Sequence, residues 1–181
     1  MYNSNVFMDL DKEQFEFVKP LSWEEVLGIW RNNEAGEVHW KEYYESKGFK
    51  SWEDWRQKYV DAYAALNKNW YLVKVKDPIL SVPNFRGGNY KGWKENIYEG
   101  RELPAFGEMK EHPAAAGFLE NLPKETTIIA LNTEIGIVIA EGMHRCAAIT
   151  KAAKDGIQLD MDLYVAMADI KKEEIPDFTK E

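Results

Sequence analysis

Apolar positions along the chain change period once, near Trp70, and that change divides it. From Trp23 to Leu66 they recur every three or four residues. Trp23, Val26, Leu27 and Trp30 share one helical face. Ser22 and Glu25 stand before and within it as a capping box. The pattern predicts a helix to about Arg31, with residues 32–36 as a turn. A second helix is expected over residues 37–47, closed by Gly48. A third opens at Ser51 and buries Trp52, Trp55, Tyr59, Ala62, Tyr63 and Leu66 along one stripe. The Ser-Trp-Glu echo at 22 and 51 is not continued by the residues after it, so it reads as two similar caps and not a repeat. Residues 1–20, ending at Pro20, read as an irregular lead-in.

From Trp70 the period becomes two. Tyr71, Val73 and Val75 alternate with Leu72, Lys74 and Lys76, which predicts a strand. Residues 127–131 and 136–140 are short apolar runs separated by a turn. They predict a hairpin whose strands are buried on both faces and therefore central in the sheet. Residues 160–168 alternate again, with Met161, Leu163, Val165 and Met167 inward and Asp160, Asp162, Tyr164 and Ala166 outward. Between Asp77 and Lys124 the chain is punctuated by Pro and Gly. A connection that long must contain short helices or serve a ligand, and residues 113–121 read as one such helix with Pro113 at its first position. The run from Ile137 to Gly156 organises the rest: a strand that breaks at Glu141-Gly142 into a helix carrying Met143, Cys146, Ile149 and Ala153 on one side. Gly156 caps its end.

The predicted class is α+β: a small mixed β-sheet with the 143–154 helix packed on it, preceded by an N-terminal three-helix region. Residues 1–69 form the Trp-rich helical part, 70–169 the α/β part and 170–181 a charged, loosely held tail, all in one compact unit.

Composition narrows this. The chain has 181 residues, 45% of them hydrophobic, enough for a genuine core. A net charge of −8 argues against nucleic acid as the main partner, which asks for a basic face. A single cysteine, Cys146, rules out an internal disulfide framework and suits a reducing compartment. With no long apolar run and no leader-like start, a soluble cytoplasmic protein without membrane contact is expected. Five of the seven tryptophans (Trp23, Trp30, Trp40, Trp52, Trp55) crowd the helical region. They read as the core of a small helical unit, with a stacking platform for bases or sugars as the alternative.

The candidate chemistry sits where the strand becomes a helix. A helix start exposes unpaired amides and attracts anions, phosphate above all. Gly142 would let a ligand approach the backbone, while His144 and Arg145 add donors. Arginine in a first turn opposes the helix dipole, so an anion is the expected reason for Arg145. Glu141 is placed to act as a general base or metal-bridging carboxylate, or else to face outward as a rim residue. His144 is the second candidate catalytic group, with a bond to a neighbouring backbone group as its plain alternative. Asp160 and Asp162 supply too few oxygens for a hard cation, and no metal site is predicted.

Glu141-Gly142-Met143-His144-Arg145-Cys146-Ala147-Ala148 after an apolar strand resembles the G-x-H-R-x-x-A signature of the ParB/sulfiredoxin superfamily. Val82-Pro83-Asn84-Phe85-Arg86 resembles, in shortened form, the P-N-x-x-x-R segment of ParB-like domains. The likeness covers about residues 71–169. It implies a ParB/sulfiredoxin-like fold and nucleotide phosphates held at Gly142, Met143, His144 and Arg145, with Asn84, Arg86 and Gly87 on a loop closing over them. ATP, ADP or CTP is the implied ligand, with Mg²⁺ where catalysis occurs. Sulfiredoxins place their cysteine immediately before His-Arg, where this chain has Met143, so sulfinic-acid repair is not expected. ParB proteins carry a helix-turn-helix domain after the nucleotide domain; with few residues after the last predicted strand, that module is not expected. Two functions follow: a nucleotide-dependent phosphotransferase or hydrolase, or a non-catalytic nucleotide-sensing module that controls a protein partner through the N-terminal helices.

Overall fold

A computed structural model describes residues 10–180. Five strands form one mixed sheet: β1 (Phe15–Leu21), β2 (Trp70–Val75), β3 (Glu125–Thr133), β4 (Gly136–Glu141) and β5 (Asp162–Asp169), in spatial order β1-β2-β5-β3-β4. Only β3 and β5 run parallel. The helices are α1 (Trp23–Glu34), α2 (Val38–Ser46), α3 (Trp52–Ala64), α4 (Pro78–Ser81), α5 (Lys91–Asn96), α6 (Ala115–Glu120) and α7 (Met143–Lys154). The chain is α+β, as the periodicities predict.

Strand alternation sorts the side chains into two cores. Tyr71, Val73, Ile128, Ile139, Val165 and Met167 face α7, where they meet Met143, Cys146 and Ile149. Ile129, Leu131, Val138, Ala140, Ala166 and Ala168 face the opposite layer, where Val26, Trp30, Trp52 and Tyr63 of α1 and α3 cover them. Ala166 and Ala168 are wholly buried, so the predicted outward face of β5 is in fact the floor of the helical layer. Small side chains there let helices approach the sheet closely.

Several boundaries depart from expectation. Residues 15–21 are a strand and not an irregular lead-in: β1 pairs antiparallel with β2 through a bulge between Phe17 and Lys19. Pro20 is tolerated because β1 is an edge strand, needing no donor on its outer side. Helix α1 runs past Arg31 to Glu34, since Asn33 and Glu34 find tertiary partners. Helix α6 begins at Ala115, two residues after Pro113. The β3–β4 hairpin is buried on both faces, but β4 lies at the sheet edge. Its outer side is covered by Arg86, whose amide donates to Ile137 O (2.7 Å) and whose carbonyl accepts from Ile139 N (2.9 Å). Gly87 and Gly88 follow because a Cβ on either would overlap Tyr98 or the Ile139 carbonyl.

The segment after β5 is not a loose tail. Ile170, Ile175 and Phe178 are buried in the helical core, and the Phe178 ring stacks on Tyr90 with centroids 5.6 Å apart. Among the described residues no helix is long and apolar enough to cross a membrane. Phe178→Ala should therefore cost about 3 kcal/mol of stability, as for a buried aromatic elsewhere. Urea unfolding measures this; an unchanged midpoint would mean that the tail contributes nothing.

Candidate functional site

At the end of the sheet where β3 begins and β4 finishes, the α1–α3 layer and the α6–α7 layer touch only in part, as where Trp40 meets His144 and His39 meets Phe118. Between them lies a cavity of about 1100 Å³. Gly142, Met143, His144 and Arg145 line it, as does Glu141, together with residues from α1, α2, α3 and α6. The N-terminal helices thus fold over the corner that the sequence singles out. Asn84, Arg86 and Gly87 are elsewhere. Asn84 donates to Leu80 O (3.0 Å), and Arg86 spans the β4 edge to Ile135 O (2.6 Å) and Leu103 O (3.0 Å). That loop reaches the cavity only through Tyr90, whose hydroxyl donates to Ala140 O.

Gly142 has φ +103°, a conformation that suits glycine, and a Cβ would overlap Ile128. The close approach it permits is therefore to β3 as well as to the cavity. Gly142 brings no capping side chain to α7. Arg145 opposes the helix dipole, but the anion that accounts for it is the protein's own. Its Nη2 donates to Glu141, four residues earlier, while Nη1 donates to Thr126 Oγ1 (2.6 Å) and Thr127 O (3.1 Å). The second Glu141 oxygen accepts from Asn33 Nδ2 (2.8 Å), which also reaches Thr127 O (2.8 Å). Arg145, expected to contact a phosphate, is thus already engaged by an internal carboxylate, and Glu141 is an inward-facing partner and not a rim residue. Burial pushes the Glu141 carboxyl above the usual carboxylate range; Arg145 pulls it down and nearby Glu34 pushes it further up.

A second ion pair in the same lining was not visible in the sequence. Arg56 binds Glu34 with two bonds, Nε to Oε2 (2.7 Å) and Nη2 to Oε1 (2.8 Å), and Trp52 Nε1 adds a third (2.8 Å). The guanidinium carbon lies 3.6 Å from the centroid of Trp55. One signal was present: Glu34 falls four residues after Trp30 on the apolar stripe of α1, and a carboxylate there needs a partner.

The three histidines, far apart in sequence, converge. His144 stacks on Phe118 (5.0 Å, 14°) and meets His112 (4.7 Å) and Trp93 (5.3 Å) edge-on, with Trp40 at 5.9 Å. His39 flanks Phe118 at 6.3 Å. Burial first, then the neighbouring His112 and His39, lowers the His144 pKa to about 4, so it is a neutral imidazole at pH 7. It could accept or donate one bond to a ligand in the cavity. Cys146 is wholly buried with its thiol pKa raised, a core residue and no nucleophile. Among the described residues no group of three or more His, Cys, Asp or Glu side chains is placed to hold a metal ion. Glu34 and Glu141 each face a guanidinium instead, so these side chains compose no Mg²⁺ site of their own. Asp162 pairs with Lys74 (2.7 Å).

Comparison with protein-family models, curated proteins and solved structures finds no match to this chain.

Two outcomes follow from the geometry. Arg145→Met should destabilise the fold by about 3 kcal/mol near pH 8, because it strands a buried carboxylate. The deficit should shrink toward pH 5 as that carboxylate protonates, and Glu141→Leu in the same chain should restore much of it; urea titrations at several pH values measure both. His144, with its native pKa below the unfolded value of about 6.5, stabilises the fold fully above that pH. Its contribution falls as pH drops from 6.5 toward about 4. His144→Phe, which keeps the ring stack, should flatten the stability–pH curve in that window, and an unaltered slope would show that His144 is not the group titrating.

Proposed function

We propose that the protein binds a nucleoside or nucleotide in this cleft, with the ring system among the aromatic side chains and the 5′ end toward the first turn of α7. The observation that carries the reading is one cavity of about 1100 Å³ that joins an aromatic wall, including Trp40, Trp93, Phe118 and His144, to the uncapped start of α7. Flat rings stack on such walls with little sequence of their own to satisfy, and a helix start suits one phosphate. The volume lies just above the usual range for small-molecule sites. The finer fold assignment belongs to the same reading: a ParB/sulfiredoxin-like domain over residues 70–169 would place its ligand at this strand–turn–helix corner.

The enzymatic form of the proposal is phosphoryl transfer or hydrolysis with His144, neutral and facing the cavity, as the base. The non-catalytic form is a sensing module in which α1–α3, forming one wall of the cleft, relay occupancy to a protein partner. The engagement of Glu141 by Arg145 and Asn33 favours the second form, since it leaves catalysis a single candidate group.

A panel of adenosine, AMP, ADP, ATP, CTP and GTP, each with and without Mg²⁺, tests binding by thermal shift and by tryptophan fluorescence. A ligand at ~100 times its Kd should add about 2.7 kcal/mol, and Phe118→Ala should reduce that gain. If no member moves the melting temperature or the fluorescence, the cleft is not a nucleotide site. Product formation in the same samples separates enzyme from sensor.

A further inference from the structure

The charges lining the cleft bear on which nucleotide class it takes, an inference that rests on the reading above. Four carboxylates line the cavity, Glu34, Glu37, Glu125 and Glu141, against two guanidinium groups, Arg56 and Arg145. No lysine does so among the described residues. Both arginines are already committed. Arg56 holds Glu34 with side chains 12% and 7% exposed, and Arg145 holds Glu141 with side chains 13% and 8% exposed. Pulling either guanidinium onto a phosphate would strand a buried carboxylate, at a cost comparable to what the new contact returns. Of the two histidines in the lining, His144 is neutral in its aromatic enclosure, and His39 is turned to the Glu37 carboxylate (Nδ1 to Oε2, 3.9 Å). What remains for an anion is the start of α7, equivalent to roughly half an elementary charge.

A triphosphate brings about four negative charges into that setting, with Glu37 and Glu125 exposed at the lining and unneutralised by any lysine there. A nucleoside brings none. A monophosphate brings one group, which the α7 amides can meet. We propose that the cleft selects a nucleoside or nucleoside monophosphate and discriminates against di- and triphosphates by charge. The aromatic wall supplies affinity for the ring; the paired arginines shape the cavity and do not contact phosphate. Ionic strength then acts in the unusual direction. In a cationic phosphate site, salt screens attraction and weakens triphosphate binding. Here salt screens repulsion, so it strengthens whatever triphosphate binding exists.

The test titrates the full-length protein with adenosine, AMP, ADP and ATP without Mg²⁺, following tryptophan fluorescence at low and high ionic strength. AMP should bind about tenfold or more tighter than ATP, and the gap should narrow as salt rises. Glu125→Gln, at an exposed position, should raise ATP affinity more than it changes adenosine affinity. ATP binding as tightly as AMP, or ATP binding that salt weakens, overturns the charge selection while leaving a nucleotide site in place. Absence of binding by all four ligands overturns the nucleotide reading itself.

Discussion

The contact between Glu141 and Arg145 ties together four of the elements that meet at the cleft. Glu141 ends β4, Arg145 lies one turn into α7, Thr126 and Thr127 belong to β3, and Asn33 reaches in from α1. One carboxylate and one guanidinium thereby fix the exit angle of the strand, the start of the helix and the docking of the N-terminal layer. Such a pair gains little over a well-packed apolar substitute, but it is costly to break from one side, because the remaining charge stays buried. Its geometry is directional where apolar packing is not, and this makes it suited to setting how two layers meet around a void.

The void itself comes from a mismatch between the layers. Small side chains on β5 let α1 and α3 settle closely onto one face of the sheet, while α7 packs on the other. At the end of the sheet the layers only partly close on each other, leaving the cavity, and aromatic residues that serve as core on one side become cleft wall on the other. Trp55 is buried against Trp40 and Tyr44 and also lines the cavity beside Arg56. The tryptophan-rich helical segment thus supplies core and cleft wall with some of the same residues. The segment after β5 completes the back of this layer, with Phe178 set against Tyr59, Tyr63 and Tyr90.

Electrostatics distinguishes this corner from the usual image of a phosphate site. The features that suggest one, a glycine, a helix start and an arginine in the first turn, are all present. Yet the arginine answers an internal carboxylate, the glycine answers Ile128, and the histidine is uncharged. Under the proposed function, ring stacking and shape are the main sources of affinity, with charge acting chiefly to reject.

The sequence by itself determined what depends on neighbours a few residues away. The capping box at Ser22 and Glu25, the caps at Ser51 and Gly156, the alternation of β2 and the strand–turn–helix around Gly142 are local, and each stands where the pattern places it. Tertiary structure decided whatever depended on partners distant in the chain. β1 exists because β2 offers a paired edge, α1 extends because Asn33 and Glu34 find Thr127, Glu141 and Arg56, and β4 is buried at an edge because Arg86 covers it. The gathering of His39 on Phe118, and of Phe118 and His112 on His144, has no trace in their spacing. A charged or aromatic side chain states in sequence only that it needs a partner; which partner it meets, and so whether it is free to hold a ligand, is settled by the packing of the layers.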